Sequence, residues 1–399
     1  MRKALLALTV FAFSVPVGAQ ELSNAEILKK LEELEAKVEK LEKENRELRS
    51  LLSRKGGLIA PARKKDTHMK VGGRVLFRFS QTQDLEEAGG KSVYGDPSNG
   101  FTVRKARLFV SGKVAEDFKY KVQIRADRGA PVELWDAYVI YSPSSLPVSI
   151  KAGQFKVPLS MIYLRSGTKL ALPERPVAVN KIAPVWRDVG VEVSYKPFKG
   201  YKLVGAVLNG EGWTNKEKIY NKDKKYAYVL ALEGTPVNTP SCRLKFRLGY
   251  ETGTDSSSKL VYKSYGATSA KRHLIDAETS LTLKDYGLTF KGGYLFDNPT
   301  NGKDANGNSV NLGNAKGYYL QADYALPFEP KLHLVGRYSW LDPNDDADDK
   351  LDVDYTTFGA YYLIHGWQAA IRTSYTIANQ RKTEELDDNL FTAELQLLF

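Results

Sequence analysis

The sequence predicts an all-β fold: a 16-stranded antiparallel transmembrane β-barrel with an N-terminal α-helical coiled coil. Sixteen segments after residue 70 alternate apolar and polar side chains, and short and long connections alternate between them. A heptad repeat precedes these segments. The alternating connections are typical of a bacterial outer-membrane barrel, because one end of such a barrel faces the periplasm and the other faces the outside.

The N-terminus has the pattern of an export signal. A basic start at residues 1–3 and an apolar run over 4–17 are followed by small residues, so residues 1–19 are predicted to be a signal peptide. Lys and Arg exceed Asp and Glu by 11, but an exported chain does not meet nucleic acid. Cys242 is the only cysteine, so an internal disulfide is excluded.

Residues 20–55 are predicted to form a parallel coiled coil in the periplasm. Leu31, Val38 and Leu52 occupy heptad position a, and Ile27, Leu34, Leu41 and Leu48 occupy position d. The residues predicted to face each other at positions g and e carry opposite charges. Asn24 and Asn45 also fall at position a, which favours two helices in short coils, so the heptads alone leave the oligomer number open.

The barrel is predicted over residues 70–399, after an irregular linker over 56–69. The predicted strands are 70–80, 101–113, 117–127, 132–142, 148–155, 188–196, 201–210, 226–234, 243–252, 273–284, 287–296, 317–326, 331–341, 353–364, 366–377 and 389–399. Residues 259–266 are assigned to a loop because an odd strand count would break the alternation of connections. A secreted β-sandwich is the soluble alternative, but its outward apolar faces would need a second layer.

Several motifs in this region resemble the phosphate-selective porins O and P. They are Val103-Arg104-Lys105-Ala106-Arg107-Leu108, Trp135-Asp136-Ala137-Tyr138, the run 152–160, Pro173-Glu174-Arg175-Pro176 and Arg187-Asp188-Val189-Gly190. The resemblance implies a trimeric sixteen-stranded barrel whose third long loop folds into the lumen. It also favours three helices for the coiled coil.

Anion passage through such a pore requires fixed cations that replace part of the ion's hydration. The third long loop, residues 156–187, holds six basic residues against Glu174 and is the predicted constriction. The predicted anion-pathway residues are Lys105, Arg107, Lys119, Lys121, Arg125, Lys156, Arg165, Lys169, Arg175, Arg187, Arg243, Lys245 and Arg247. Arg104 and Lys105 are neighbours on one strand, so their side chains are expected on opposite faces of the sheet. Both face the lumen only if the strand bulges there.

The predicted function is a trimeric, anion-selective diffusion channel of the outer membrane for phosphate or related anions. Lysine stands at positions where relatives often have arginine, and an ammonium cannot hold phosphate bidentately, which counts against strict phosphate preference. Two alternatives remain: a general porin whose coil tethers the outer membrane to peptidoglycan or the cell wall, and an outer-membrane hydrolase. Expected partners are small anions, membrane lipid, lipopolysaccharide and further copies of the chain. No cofactor is expected, and no metal, since the four histidines lack ligand spacing.

Overall fold

The computed structural model describes residues 68–83, 99–183, 187–210, 212, 224–255, 261–346, 352–380 and 389–399, with pieces at 33, 36–40 and 43–44. The chain divides into two compact units, Met1–Pro61 and Ala62–Phe399. In the first unit, the described pieces are helical. The predicted signal peptide, and most of the predicted coil and linker, lie outside the described residues. Within the described part of the chain, we find no helix with the length and apolar character needed to span a bilayer.

The second unit is an antiparallel sheet that closes on itself. Its strands are β1 (His68–Thr82), β2 (Gly100–Lys113), β3 (Phe118–Arg125), β4 (Glu133–Tyr141), β5 (Val148–Phe155), β6 (Asp188–Tyr195), β7 (Tyr201–Leu208), β8 (Ala227–Asn238), β9 (Cys242–Asp255), β10 (Ser269–Leu283), β11 (Leu288–Asp297), β12 (Thr300–Lys303), β13 (Ser309–Val310), β14 (Ala315–Leu326), β15 (Glu329–Asp342), β16 (Val353–Trp367), β17 (Ala369–Gln380) and β18 (Leu390–Leu398). Sixteen of these form the wall, and β12 and β13 form a small hairpin between β11 and β14.

The wall closes because β18 pairs with β1. The register runs from Arg74 opposite Leu398 to Thr82 opposite Leu390. The predicted fold class is therefore confirmed, and each predicted strand overlaps one strand of the wall. The stretch assigned to a loop contains a short 3-10 helix, Val261–Tyr265. The β12–β13 hairpin was not predicted, because four residues and two residues are too few to show a period.

The two faces of the wall differ in polarity. On β1, Val75 and Phe77 are 42% and 43% exposed, whereas Arg78 and Ser80 on the opposite face are 4% and 6% exposed. Apolar side chains thus point outward and polar ones point into the lumen, as in barrels that cross a lipid bilayer. Charged and polar groups line much of the lumen, and buried apolar residues of the wall, among them Leu274 and Leu295, pack against the third long loop.

The third long loop packs against inward-facing residues of the wall. It contains two short helices, α1 (Met161–Leu164) and α2 (Val177–Ile182), and α2 contacts β11, β14 and β15. A Cβ atom added at Gly317 of β14 would lie 2.6 Å from Cβ of Ala178 and 3.2 Å from Cδ1 of Ile182. Only glycine at this position lets α2 approach the strand so closely. The loop therefore folds into the barrel, on the side of β9 to β16.

The close approach at Gly317 can be tested with Gly317→Val. The added side chain should overlap α2 and destabilise the barrel by about 1–3 kcal/mol, as overpacking does. We expect the heat-dependent shift in SDS-gel migration to occur at a lower temperature and trypsin to cut the loop faster.

Gly336→Val is the matched control for Gly317→Val. Gly336 lies on β15, and a Cβ atom there would have no heavy atom within 4 Å. Equal effects of the two substitutions would contradict the packing described for α2.

Candidate functional site

Four arginines of the wall, the clamp arginines, donate hydrogen bonds to backbone carbonyls of the third long loop. Arg247 donates to Pro158 O and Leu159 O at 2.6 Å each, Arg272 to Ile182 O, Arg337 to Glu174 O at 2.8 Å, and Arg372 to Gly167 O and Leu170 O at 3.2 and 3.1 Å. Buried carbonyls need such donors because water does not reach them. The clamp arginines therefore fix the loop against the wall along most of its length.

The start of α1 is held by a carboxylate of the wall. Glu278 accepts hydrogen bonds from Ser160 Oγ at 3.1 Å, from Ile162 N at 3.1 Å, from Tyr319 Oη at 2.8 Å and from Met161 N. The first N–H groups of a helix have no partner within it, and a carboxylate satisfies them. Glu278 thus orients the segment of the loop that follows β5.

A cavity of about 820 Å³, the basic cavity, lies between the third long loop and the wall formed by β1 to β6. Twelve basic side chains line it: Arg74, Arg104, Lys105, Arg107, Lys121, Arg125, Arg128, Lys151, Lys156, Arg175, Lys181 and Arg187. Of the acidic side chains that the structure describes, only Asp127, Asp136 and Glu174 line it as well. Such an excess of one charge in a confined space concentrates ions of the opposite sign.

The structure brings seven of the predicted anion-pathway residues together at this cavity: Lys105, Arg107, Lys121, Arg125, Lys156, Arg175 and Arg187. The other six, Lys119, Arg165, Lys169, Arg243, Lys245 and Arg247, do not line it. Lys119 of β3 and Arg243 of β9 lie exposed next to short turns, and Lys245 shares its face of β9 with Arg243. Arg165 donates to Lys169 O at 2.5 Å on the loop, and both residues are exposed.

Arg247 has a different role from the one its charge pattern indicates. It is 1% exposed and bonds to the loop carbonyls and to Glu233, at 2.8 Å. The period-2 pattern places it correctly on the inner face but carries no information about the loop that covers it. Arg247 is therefore a clamp residue and does not border the basic cavity.

Two β-bulges turn additional side chains into the basic cavity. The pairing of β1 with β2 shifts between Leu76 and Phe77, so Arg104 is an extra residue and lines the cavity together with Lys105. A second shift, between β3 and β4, makes Trp135 the extra residue. Because a bulge breaks the period of two, strict alternation cannot predict either orientation. The structure therefore has the bulge that allows both Arg104 and Lys105 to face the lumen.

Each acidic residue of the cavity bridges two basic ones. Asp127 contacts Arg107 and Arg125, Asp136 contacts Lys121 and Arg187 at 2.9 Å each, and Glu174 contacts Arg78 at 2.6 Å and Arg104 at 3.4 Å. Burial raises the pKa of Glu174, but the nearby Arg78, Arg104 and Lys105 outweigh burial and hold that pKa well below its usual range. Glu174 is therefore ionised at any physiological pH.

Arg74 and Lys105 differ from the other basic residues of the cavity. Among the residues described, neither has a hydrogen-bond acceptor or an ion-pair partner, although Lys105 is only 8% exposed. They are diagonal neighbours across β1 and β2, because Arg74 pairs with Arg107 and Leu76 pairs with Lys105. Buried cations without a partner are costly, so this pair offers an anion two unoccupied donors. Arg74 was not predicted, because Lys70, Arg74 and Arg78 stand four residues apart on β1 and do not form a continuous basic ladder.

Metal binding has no support in the described residues, which contain no group of three or more His, Cys, Asp or Glu side chains that could hold a metal ion. The ammonium and guanidinium groups that line the basic cavity can hold anions through charge-assisted hydrogen bonds.

A family model for the phosphate-selective porins O and P matches residues 82–283. The chain belongs to this family. Together with the closed barrel, membership makes the chain a porin of the bacterial outer membrane, and family and fold fit a channel rather than an enzyme. The matched residues contain β2 to β10 and the whole third long loop. A search of curated proteins found no match.

Solved structures with the same fold include several other porins. An anion-selective porin from Comamonas acidovorans shares 13% identity with a TM-score of 0.57, over 84% of this chain and 100% of that chain. The outer-membrane channel DcaP of Acinetobacter baumannii shares 13% identity with a TM-score of 0.56, over 85% and 99%. OprB of Pseudomonas putida shares 11% identity with a TM-score of 0.56, over 84% and 94%. At these identities the likeness concerns the fold.

Lys156, where the loop leaves β5, adds a charge that depends on pH. Burial and the nearby Arg175 and Arg187 lower the pKa of Lys156 to about 6. Its Nζ lies 3.0, 2.9 and 3.1 Å from Tyr163 O, Leu164 O and Arg165 O. The ammonium form donates to all three carbonyls, and the neutral amine, with two N–H groups, donates to two of them. The amine is therefore mostly neutral at pH 7.5, and it gains a positive charge as the pH falls through 6.

Acidification should therefore increase the preference of the pore for anions. We expect the reversal potential in a salt gradient to move further toward the chloride value between pH 7.5 and pH 5. Lys156→Met should remove most of this change. His333→Gln is the control, because it removes an imidazole that lies across the barrel from Lys156, beside Asp323. If Lys156→Met keeps the full change, the charge comes from another group.

Proposed function

We propose that this porin is an anion-selective diffusion channel, with the third long loop as its constriction and phosphate or a related anion as its substrate. The observation that carries the proposal is the basic cavity, where, within the described part of the chain, twelve basic side chains face three acidic ones. A cation entering this space meets a strongly positive potential, whereas an anion finds ammonium and guanidinium donors that replace its water.

The anion-pathway residues proposed here are those that border the basic cavity. Arg74 and Lys105 are the primary contacts, because they have no acceptor among the described residues and remain able to bind a passing ion. Arg107, Lys121, Arg125, Arg187 and Arg104 share their charge with Asp127, Asp136 or Glu174. Their partial neutralisation keeps each site weak enough for the anion to move on, which conduction requires.

The proposal is tested in a planar bilayer with a salt gradient. The reversal potential should report preference for chloride over potassium, and the preference should fall at high salt as the charges are screened. Millimolar phosphate should reduce the chloride current, because a dianion stays longer at the site than chloride does. Preference for potassium would contradict the anion channel. Chloride preference without phosphate block would leave a general anion porin.

Arg74→Met and Lys105→Met should each weaken the phosphate block by about tenfold, since each removes a charge-assisted hydrogen bond. Arg243→Met removes the same charge from the wall outside the basic cavity and serves as the control. Equal weakening by all three substitutions would show that net charge alone sets the block.

We also propose that three chains assemble, with the heptad segment at 20–55 forming a three-helix coiled coil in the periplasm. Support comes from the heptad pattern and from family membership. Crosslinking and heat-labile SDS-gel migration should show three chains per particle. A particle of one or two chains in mild detergent would contradict trimerisation.

The tethering alternative gives a different result when residues 21–55 are deleted. If the deletion abolishes the trimer, the coil serves to assemble it. If the trimer stays intact and the outer membrane detaches from the cell wall, the coil serves as a tether. Peptidoglycan remains a proposed partner of this segment only.

A further inference from the structure

Trp135 enters the basic cavity through the bulge in β4. Gln123 pairs with Asp136 and Ile124 pairs with Leu134, so Trp135 has no paired residue on β3. Trp135 is only 2% exposed. The side-chain amide of Gln154 donates to Leu134 O at 3.0 Å and to Trp135 O at 3.1 Å. These bonds tie two backbone carbonyls of the bulge to a side chain of β5 and fix its backbone.

Three guanidinium groups surround the indole ring. The Cζ atoms of Arg125, Arg187 and Arg107 lie 3.7, 4.0 and 4.9 Å from its centroid. All three arginines line the basic cavity. An aromatic face attracts a cation, with roughly 0.5–2 kcal/mol for each contact. One ring therefore stabilises three like charges that would otherwise repel each other at this spacing.

The same guanidinium groups are held at their edges by carboxylates. Arg107 donates through Nε and Nη2 to Asp127, Arg125 donates to Glu133 at 2.7 Å, and Arg187 donates to Asp136 at 2.9 Å. Contact with a ring face uses none of the N–H groups of a guanidinium, so ring and carboxylate together define its plane. In Arg107 this leaves Nη1 without an acceptor among the residues described.

We propose that Trp135 is the positioning residue for anion selectivity: its ring holds the guanidinium planes of Arg107, Arg125 and Arg187 at the border of the basic cavity, and with them Nη1 of Arg107. The inference rests on the proposed anion channel. The ion used to test the role of Trp135 is inorganic phosphate, a dianion with several acceptor oxygens. Trp135 acts through the arginines and makes no contact with the ion itself.

The test compares Trp135→Phe with Trp135→Leu. Phenylalanine keeps an aromatic face, so its half-blocking phosphate concentration should stay within about twofold of the unmodified porin. Leucine keeps the apolar volume but loses the aromatic face. In Trp135→Leu, the phosphate concentration that blocks half of the chloride current should therefore rise at least about fivefold. The chloride-to-potassium permeability ratio should fall. Trp340→Phe and Trp340→Leu are the controls. Trp340 lies on β15 outside the cavity, where its ring is 5.5 Å from that of Tyr318.

A spectroscopic arm separates this inference from the channel proposal. In a porin with Trp186, Trp213, Trp340 and Trp367 replaced by phenylalanine, the emission of Trp135 should change when Arg125 or Arg187 is replaced by methionine. It should not change with Arg243→Met. Correct folding of each variant is checked by heat-dependent SDS-gel migration.

The outcomes can be told apart. If the unmodified porin prefers potassium, both the channel proposal and the selectivity role of Trp135 are wrong. This holds even if the emission of Trp135 shows that its ring contacts Arg125 and Arg187. An anion-selective porin in which Trp135→Leu behaves like Trp135→Phe overturns the positioning role alone. If phosphate does not block the unmodified porin, the permeability ratio decides: an unchanged ratio in Trp135→Leu contradicts the inference.

Discussion

The hydrogen bonds from the clamp arginines to the third long loop are the interaction on which the rest of the interior depends. Arg247, Arg272 and Arg372 are each 1% exposed, so their charges are almost completely removed from water. Such burial is tolerated only because loop carbonyls and wall carboxylates surround each guanidinium. The loop gains donors for its carbonyls, and the arginines gain acceptors. Neither partner would be stable in this position alone.

The position of the loop divides the lumen unequally. Apolar loop residues, among them Leu159, Val177 and Ile182, form a common cluster with Leu274 and Leu295 of the wall. On the other side, polar atoms of the loop meet β1 to β6 across the basic cavity. The apolar contacts of one side thus hold the charged groups of the other side at fixed positions. Preorganised charges of this kind bind an ion without rearrangement of the protein.

The strands could be predicted from the sequence because each has an apolar outer face and a polar inner face. Alternation identified all sixteen, and it placed Lys105 and Arg107 on the inner face correctly. It could not identify Arg74, Arg128 or Lys151 as part of one cavity, since cavities form from residues distant in sequence. Trp135 was recognised as part of a motif, but its orientation depends on a bulge that the period of two cannot show. Alternation also cannot predict that a loop covers an inward-facing residue, which explains why the contacts of Arg247 with the loop were not expected.

The seam between β1 and β18 has a consequence for biogenesis. Arg78 of β1 bonds to Glu394 of β18 at 2.9 Å, 316 residues further along the chain, and Glu174 joins them. Pairing across such a separation is entropically costly and late in folding. The arginines and carboxylates of this seam therefore stay hydrated until the two ends of the chain have met. The enclosure is complete only once the C-terminal strand has paired with β1.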